Sequence, residues 1–228
     1  MDEQTGKIIR EIFILQSQRE KAEKLERYRR LNRFARKGQI LFCGSSLMEQ
    51  FPIQELLLDR GSPLVVYNRG VGGFTTAEME AALETVVFDL APRAIFINIG
   101  TNDLNDPACS IDALIASYDA ILSGIKARLP DAKLFLLAYY PVNTEVGSRI
   151  PYMADLLKVR TNARIREANA AAAELAKKYG AAFLDVNDAI TDENGEMDAA
   201  FCIEGMHMYG DGYAKVLERL LPVLESLG

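Results

Sequence analysis

The sequence predicts an α/β fold, a three-layer α/β/α sandwich with helices on both faces of a five-stranded parallel sheet. Three observations carry that prediction. Five short runs are predominantly apolar, at residues 40–43, 64–67, 94–99, 133–138 and 182–186. A strand covered on both faces reads as a continuous apolar run rather than an alternating one. Helix-period patterns separate these runs, so β and α elements alternate along the chain. The length of 228 residues, 49% of them hydrophobic, suits one domain with a full core.

The chain opens with a long helical pattern from about Thr5 to Arg36. Ile8, Ile12 and Leu15 fall on one face, residues 18–30 are densely charged and read as a solvated face, and Gly38 closes the helix. Residues 1–38 are therefore expected to form an N-terminal helical extension, and residues 39–228 the α/β domain. The extension can pack on the domain or on a second copy of the chain, which would give a homodimer. The first apolar run, Ile40-Leu41-Phe42-Cys43, enters Gly44-Ser45-Ser46. The second leads into Asn68-Arg69-Gly70-Val71-Gly72-Gly73, followed by a helical pattern over residues 75–90. The third leads into Gly100-Thr101-Asn102-Asp103 and a helical pattern over residues 111–129. After the fourth comes Tyr139-Tyr140-Pro141-Val142-Asn143, a segment placed either to line a pocket or simply to pack as a loop. Helical patterns over residues 153–179 and 211–227 flank the fifth run. No internal repeat or linker divides the chain.

Composition excludes several classes of function. The 26 basic and 32 acidic residues leave a net charge of −6, without the basic patch a nucleic-acid partner requires. The apolar patch IIREIFIL is broken by Arg10 and Glu11, so it cannot span a membrane, and the acidic start MDEQTGK is unlike a secretion signal. Three cysteines, Cys43, Cys109 and Cys202, lack metal-like spacing and point to a reducing, cytoplasmic setting. No cluster suggests a metal, and no Walker-type loop with its lysine occurs. The glycines at 70–73 match part of a dinucleotide fingerprint but lack its last glycine, and they follow the second strand rather than the first. The plainer reading is a tight turn.

In a doubly wound sheet the ligand site lies at the carboxyl ends of the strands, where the first three loops converge. Two serines at the end of a buried strand either cap the next helix or do chemistry. A serine nucleophile needs a base, and the chain contains one histidine, His207. Glu204 stands three residues before it; in a helical turn the two share a side, where the carboxylate would orient the imidazole. Backbone N–H groups of Ser46 and Gly73 and the amide of Asn102 are candidate donors to an oxyanion. Asp103 is better placed as a loop organiser than as the acid.

These blocks resemble those of the SGNH, or GDSL-like, hydrolase superfamily: Gly44-Ser45-Ser46, Gly73, Gly100-Thr101-Asn102-Asp103 and Glu204-x-x-His207. The resemblance runs from about Gln39 to the C-terminus. It implies a sheet of flavodoxin-like order and a serine esterase or acylhydrolase that cleaves small acyl esters on a carbohydrate or lipid carrier, with no cofactor. It makes Ser46 the nucleophile, His207 the base and Glu204 the acid, with Ser46, Gly73 and Asn102 forming the oxyanion hole. Ser45 stands where the family commonly has aspartate, Glu204 also replaces aspartate, and Met208 replaces a proline. Two other functions fit the same residues. An O-acyltransferase would use a second alcohol in place of water, and a non-catalytic binding module would hold ligand without turnover.

Overall fold

The computed structural model describes residues 3–228; the first two residues of the acidic start lie outside it. In chain order the elements are α1 (Glu3–Asn32), β1 (Ile40–Gly44), α2 (Ser46–Glu49), α3 (Ile53–Asp59), β2 (Val66–Gly70), α4 (Thr76–Ala81) and α5 (Leu83–Val86). They continue with β3 (Ala94–Asn98), α6 (Ile111–Arg128), β4 (Lys133–Leu137), α7 (Thr144–Ser148), α8 (Pro151–Leu157), α9 (Asn162–Lys178), β5 (Ala182–Leu184) and α10 (Gly210–Glu225). All strands are parallel, in the order β2-β1-β3-β4-β5. The chain therefore has the expected three-layer sandwich and sheet order, with its switch point beside β1.

Two cores lie on the two faces of the sheet. On one face Leu41, Cys43, Ile95, Ile97, Leu134 and Leu136 pack under α4, α5, α6 and α9. On the other, Phe42, Phe96 and Phe135 stack across three strands at 4.6 and 4.5 Å, and Phe51 and Tyr213 extend that aromatic layer to α10. Stacked rings of this kind add roughly 0.5–1.5 kcal/mol per pair beyond the area they bury. Cys43 is a buried apolar side chain, and burial pushes its thiol pKa up.

Several elements differ from the sequence expectation. The second strand lies two to three residues later than predicted, because Asn68 and Arg69 find partners within it. Asn68 Nδ2 donates to the carbonyls of Met48 and Phe51, and Arg69 Nε donates to Asn32 Oδ1. The pattern at 75–90 breaks at Ala82 into α4, α5 and a 3₁₀ turn. The pattern at 153–179 breaks before Asn162, where the Thr161 side chain caps α9. β5 is half-exposed rather than apolar on both faces, as befits an edge strand.

The long helix α1 ends at Asn32, short of Gly38, and docks by a different face from the one predicted. Ile8, Ile12 and Leu15 are exposed. Instead, Lys21, Leu25, Tyr28 and Asn32, spaced along one helical face, meet the domain. Asn32 is buried and bridges Thr85 O and Arg69, whose guanidinium lies over the rings of Tyr28 and Tyr67. The charged run is therefore not wholly solvated: Lys21 pairs with Glu78 and Lys24 with Glu49. Among the described residues no helix is long and apolar enough to cross a membrane.

Candidate active site

The carboxyl ends of β1, β2 and β3 meet at backbone distance. Gly44 is in register with Gly70 on one side and Asn98 on the other. A methyl group at Gly44 would fall 1.9 Å from the Asn98 carbonyl oxygen, and φ there is +147°, so only glycine fits. The chain then turns sharply. Ser45 is fully buried and stands at the N-cap of α2, but its side chain makes no capping bond. Ser46 is the first residue of the helix and is partly exposed toward the loops.

His207 is held in a tight bend rather than the helical turn expected from its spacing. Cys202 and Met208 bridge in antiparallel fashion, and Ile203 N–H donates to His207 O. Gly205 N–H donates to Cys202 Sγ, while its carbonyl accepts from Asn143 N–H. The bend places Glu204 Oε1 2.5 Å from His207 Nδ1, and His207 Nε2 2.8 Å from Ser46 Oγ. The carboxylate fixes the tautomer: Nδ1 carries the proton and Nε2 presents its lone pair to the serine hydroxyl. Both side chains are largely shielded, 13% exposed for Glu204 and 23% for His207. Glu204 is thus not a solvated carboxylate.

Three donor groups are candidates for an oxyanion. Among the described residues, nothing accepts the N–H of Ser46 or that of Gly73. Gly73 occupies the third position of a turn closed by Phe74 N–H to Val71 O, with φ of +73°, which explains the glycine. Asn102 donates one amide hydrogen to Phe74 O, the carbonyl next to Gly73, which leaves the second free. Asp103 organises the loops: it accepts from Thr76 N–H and, at 2.5 Å, from Thr76 Oγ1, and burial raises its carboxyl pKa.

Sequence reasoning missed Arg160. It is buried, and its guanidinium donates to Asn102 Oδ1 (2.9 Å), Asn105 Oδ1 (2.8 Å) and Met206 Sδ (2.9 Å). Holding Asn102 by its oxygen turns the amide nitrogen toward the glycine turn. Burial lowers the Arg160 pKa to about 10, with Glu204 and Asp103 acting in the opposite direction. The signal that could have found it is Thr161, a helix N-cap that ends the continuous helical reading and leaves Arg160 in a loop. By contrast, Tyr139, Tyr140, Val142 and Asn143 are all buried and pack within the loop, while Pro141 lines a hollow shared with Asn162, Asn169 and Phe183 and not with Ser46 or His207.

A serine, an imidazole and a carboxylate in line, beside unpaired N–H donors at the carboxyl edge of a parallel sheet, make up the equipment of a serine-dependent ester hydrolase. Residues 44–215 match the GDSL-like lipase/acylhydrolase family, and the chain belongs to that family. It is a carboxylic ester hydrolase of the serine esterase/acylhydrolase type. The chain is 24% identical over 189 residues to the alpha2 subunit of platelet-activating factor acetylhydrolase IB from Homo sapiens, covering 82% of this chain and 76% of that protein. A solved Streptococcus pneumonia protein, provisionally described as a platelet activating factor, superposes with a TM-score of 0.85 at 28% identity, over 95% of this chain and 98% of that one. An acetylxylan esterase from Geobacillus stearothermophilus shares the fold, with a TM-score of 0.61 at 15% identity over 83% and 95% of the two chains.

Proposed function

We propose that the chain hydrolyses esters of short acyl groups through an acyl-enzyme, with Ser46 as nucleophile, His207 as base and Glu204 as the supporting acid. The observation that carries this is the unbroken line from Ser46 Oγ through the imidazole to Glu204. His207 Nε2 takes the hydroxyl proton as Oγ attacks the ester carbon. Charge on the tetrahedral oxygen is held by Ser46 N–H, Gly73 N–H and Asn102. Collapse expels the alcohol, which takes the proton from His207. Water, activated by the same imidazole, then frees the acid and restores the serine. The acetyl group named in both the mammalian relatives and the Geobacillus fold neighbour supports a small acyl group.

The test is turnover of p-nitrophenyl acetate and labelling by a fluorophosphonate. The parent turns over and labels; Ser46→Ala loses labelling and falls by several orders of magnitude, since serine and histidine act as a unit. Equal rates for parent and Ser46→Ala would remove the nucleophile assignment.

The reading further assigns the chain to the cytoplasm, with no nucleic-acid partner. It also assigns α1 to a homodimer contact, supported by the exposed Ile8, Ile12, Phe13, Ile14 and Leu15. Mass in solution, before and after replacing Phe13 and Leu15 by Gln, tests that contact; an unchanged monomer mass in both would exclude it.

A further inference from the structure

We propose that α1 is part of the active site, in that Lys24 and Tyr28 are positioning residues that hold the oxyanion-donating glycine segment, residues 70–73. The inference rests on the ester-hydrolase reading above and concerns how its donor is kept in place. Three fastenings run from one face of α1 to that segment and its flank. Tyr28 Oη donates to Gly70 O at 2.6 Å. Lys24 Nζ lies 2.5 Å from Glu49 Oε1, and Glu49 Oε2 accepts the Gly72 N–H at 2.5 Å. Lys21 Nζ contacts both oxygens of Glu78 at 2.7 and 2.9 Å, and Glu78 Oε2 accepts the Thr75 N–H. The glycine segment is thus tied before, within and after its turn, while the Gly73 N–H itself stays free.

Lys24 also has an electrostatic task. One peptide unit separates Gly72 N from Gly73 N, so the Glu49 carboxylate sits within about 6 Å of the proposed oxyanion donor. A bare negative charge there would oppose the charge that develops in the transition state. Glu49 shares a helical turn with Ser46, and the ion pair is only partly open to water, with side chains 30% and 26% exposed. Lys24 therefore keeps Glu49 as a backbone acceptor while cancelling its charge. Tyr28 stays a donor at all relevant pH values: burial, together with the Glu49 carboxylate, pushes its hydroxyl pKa up to about 12.

Charge cancellation makes a prediction that a purely structural contact does not. In steady-state hydrolysis of p-nitrophenyl acetate, Lys24→Met lowers kcat about ten-fold with KM within about two-fold, because the exposed Glu49 charge acts on the transition state. Glu49→Gln in the Lys24→Met background restores most of that loss, since the amide oxygen still accepts Gly72 N–H without a charge. Lys24→Arg keeps the pair and most of the rate. Tyr28→Phe lowers kcat in the same sense while thermal unfolding stays cooperative. A Lys24→Met protein with parental kcat, or one that Glu49→Gln fails to rescue, overturns the proposal. A parent chain with no serine-dependent turnover instead overturns the esterase reading on which it rests.

Discussion

Replacing Arg160 with methionine should separate activity from stability. The guanidinium makes two N–H···O bonds, to Asn102 and Asn105, and a third contact to the Met206 sulfur. Hydrogen bonds from a charged donor are each worth about 1.5–3 kcal/mol, so two amount to roughly 3–6 kcal/mol. Against this stands the cost of burying the cation. Burial lowers its pKa to about 10, which puts that cost on the order of 3 kcal/mol. Methionine fills most of the same volume and carries no charge, so the net stability change is small, about 0–3 kcal/mol. Activity behaves differently. Without Arg160 nothing holds Asn102 Oδ1, and the amide is free to turn its oxygen toward the site. Losing an oxyanion donor, the role proposed for Asn102, costs up to about 3–4 kcal/mol, so kcat should fall between ten- and a thousand-fold. The assay is steady-state ester hydrolysis beside urea denaturation, in a double-mutant cycle with Asn102→Ala. Because Arg160 acts through Asn102, adding Arg160→Met to Asn102→Ala should cost little further activity. Parental kcat in Arg160→Met, or fully additive losses in the double variant, would refute the reasoning.

Three further outcomes are expected. Asn102→Ala lowers kcat by roughly a hundred- to a thousand-fold at near-parental KM, read in the same assay. Gly44→Ala forces a methyl to within 1.9 Å of the Asn98 carbonyl oxygen and should destabilise the chain by roughly 3 kcal/mol or more, read as a lower denaturation midpoint. Glu78 reports on the α1 contact in acid: burial raises its carboxyl pKa, but hydrogen bonds from Lys21 and Thr75 N–H outweigh this and leave it below its ordinary 4.5. A depressed folded pKa contributes stability that is present above 4.5 and lost as pH falls through the folded value. The gap in Tm between the parent and Glu78→Gln should therefore narrow below pH 4.5, and a gap constant from pH 7 to pH 3 would contradict the assignment.

The fold was legible because its signal is local. A doubly buried strand must be apolar on both faces, as Ile40 to Cys43 and Ala94 to Ile97 are, and β5 kept an apolar run although it is the half-exposed edge. The candidate triad was legible because its residue types are rare: with one histidine in the chain, the base had no competitor. What stayed hidden is held by contacts between residues distant in sequence. Arg160 is an unremarkable arginine until α8 and α9 separate and bury it against Asn102. Lys24 and Tyr28 sit in a charged run whose periodicity favours solvent, and only their docking against Glu49 and Gly70 gives them another reading. The Glu204–His207 pair was foreseen for a reason that does not hold, since a bend rather than a helix brings the two together.

The floor beneath Ser46 leaves no room for a side chain. A methyl at Gly44 would strike the Asn98 carbonyl, and one at Gly70 would lie 2.2 Å from the Glu49 nitrogen. Main chain there rests directly on main chain, so no substitution can widen or narrow the site from below. Any change of substrate preference, natural or engineered, must come from side chains around the mouth rather than from the strands beneath it.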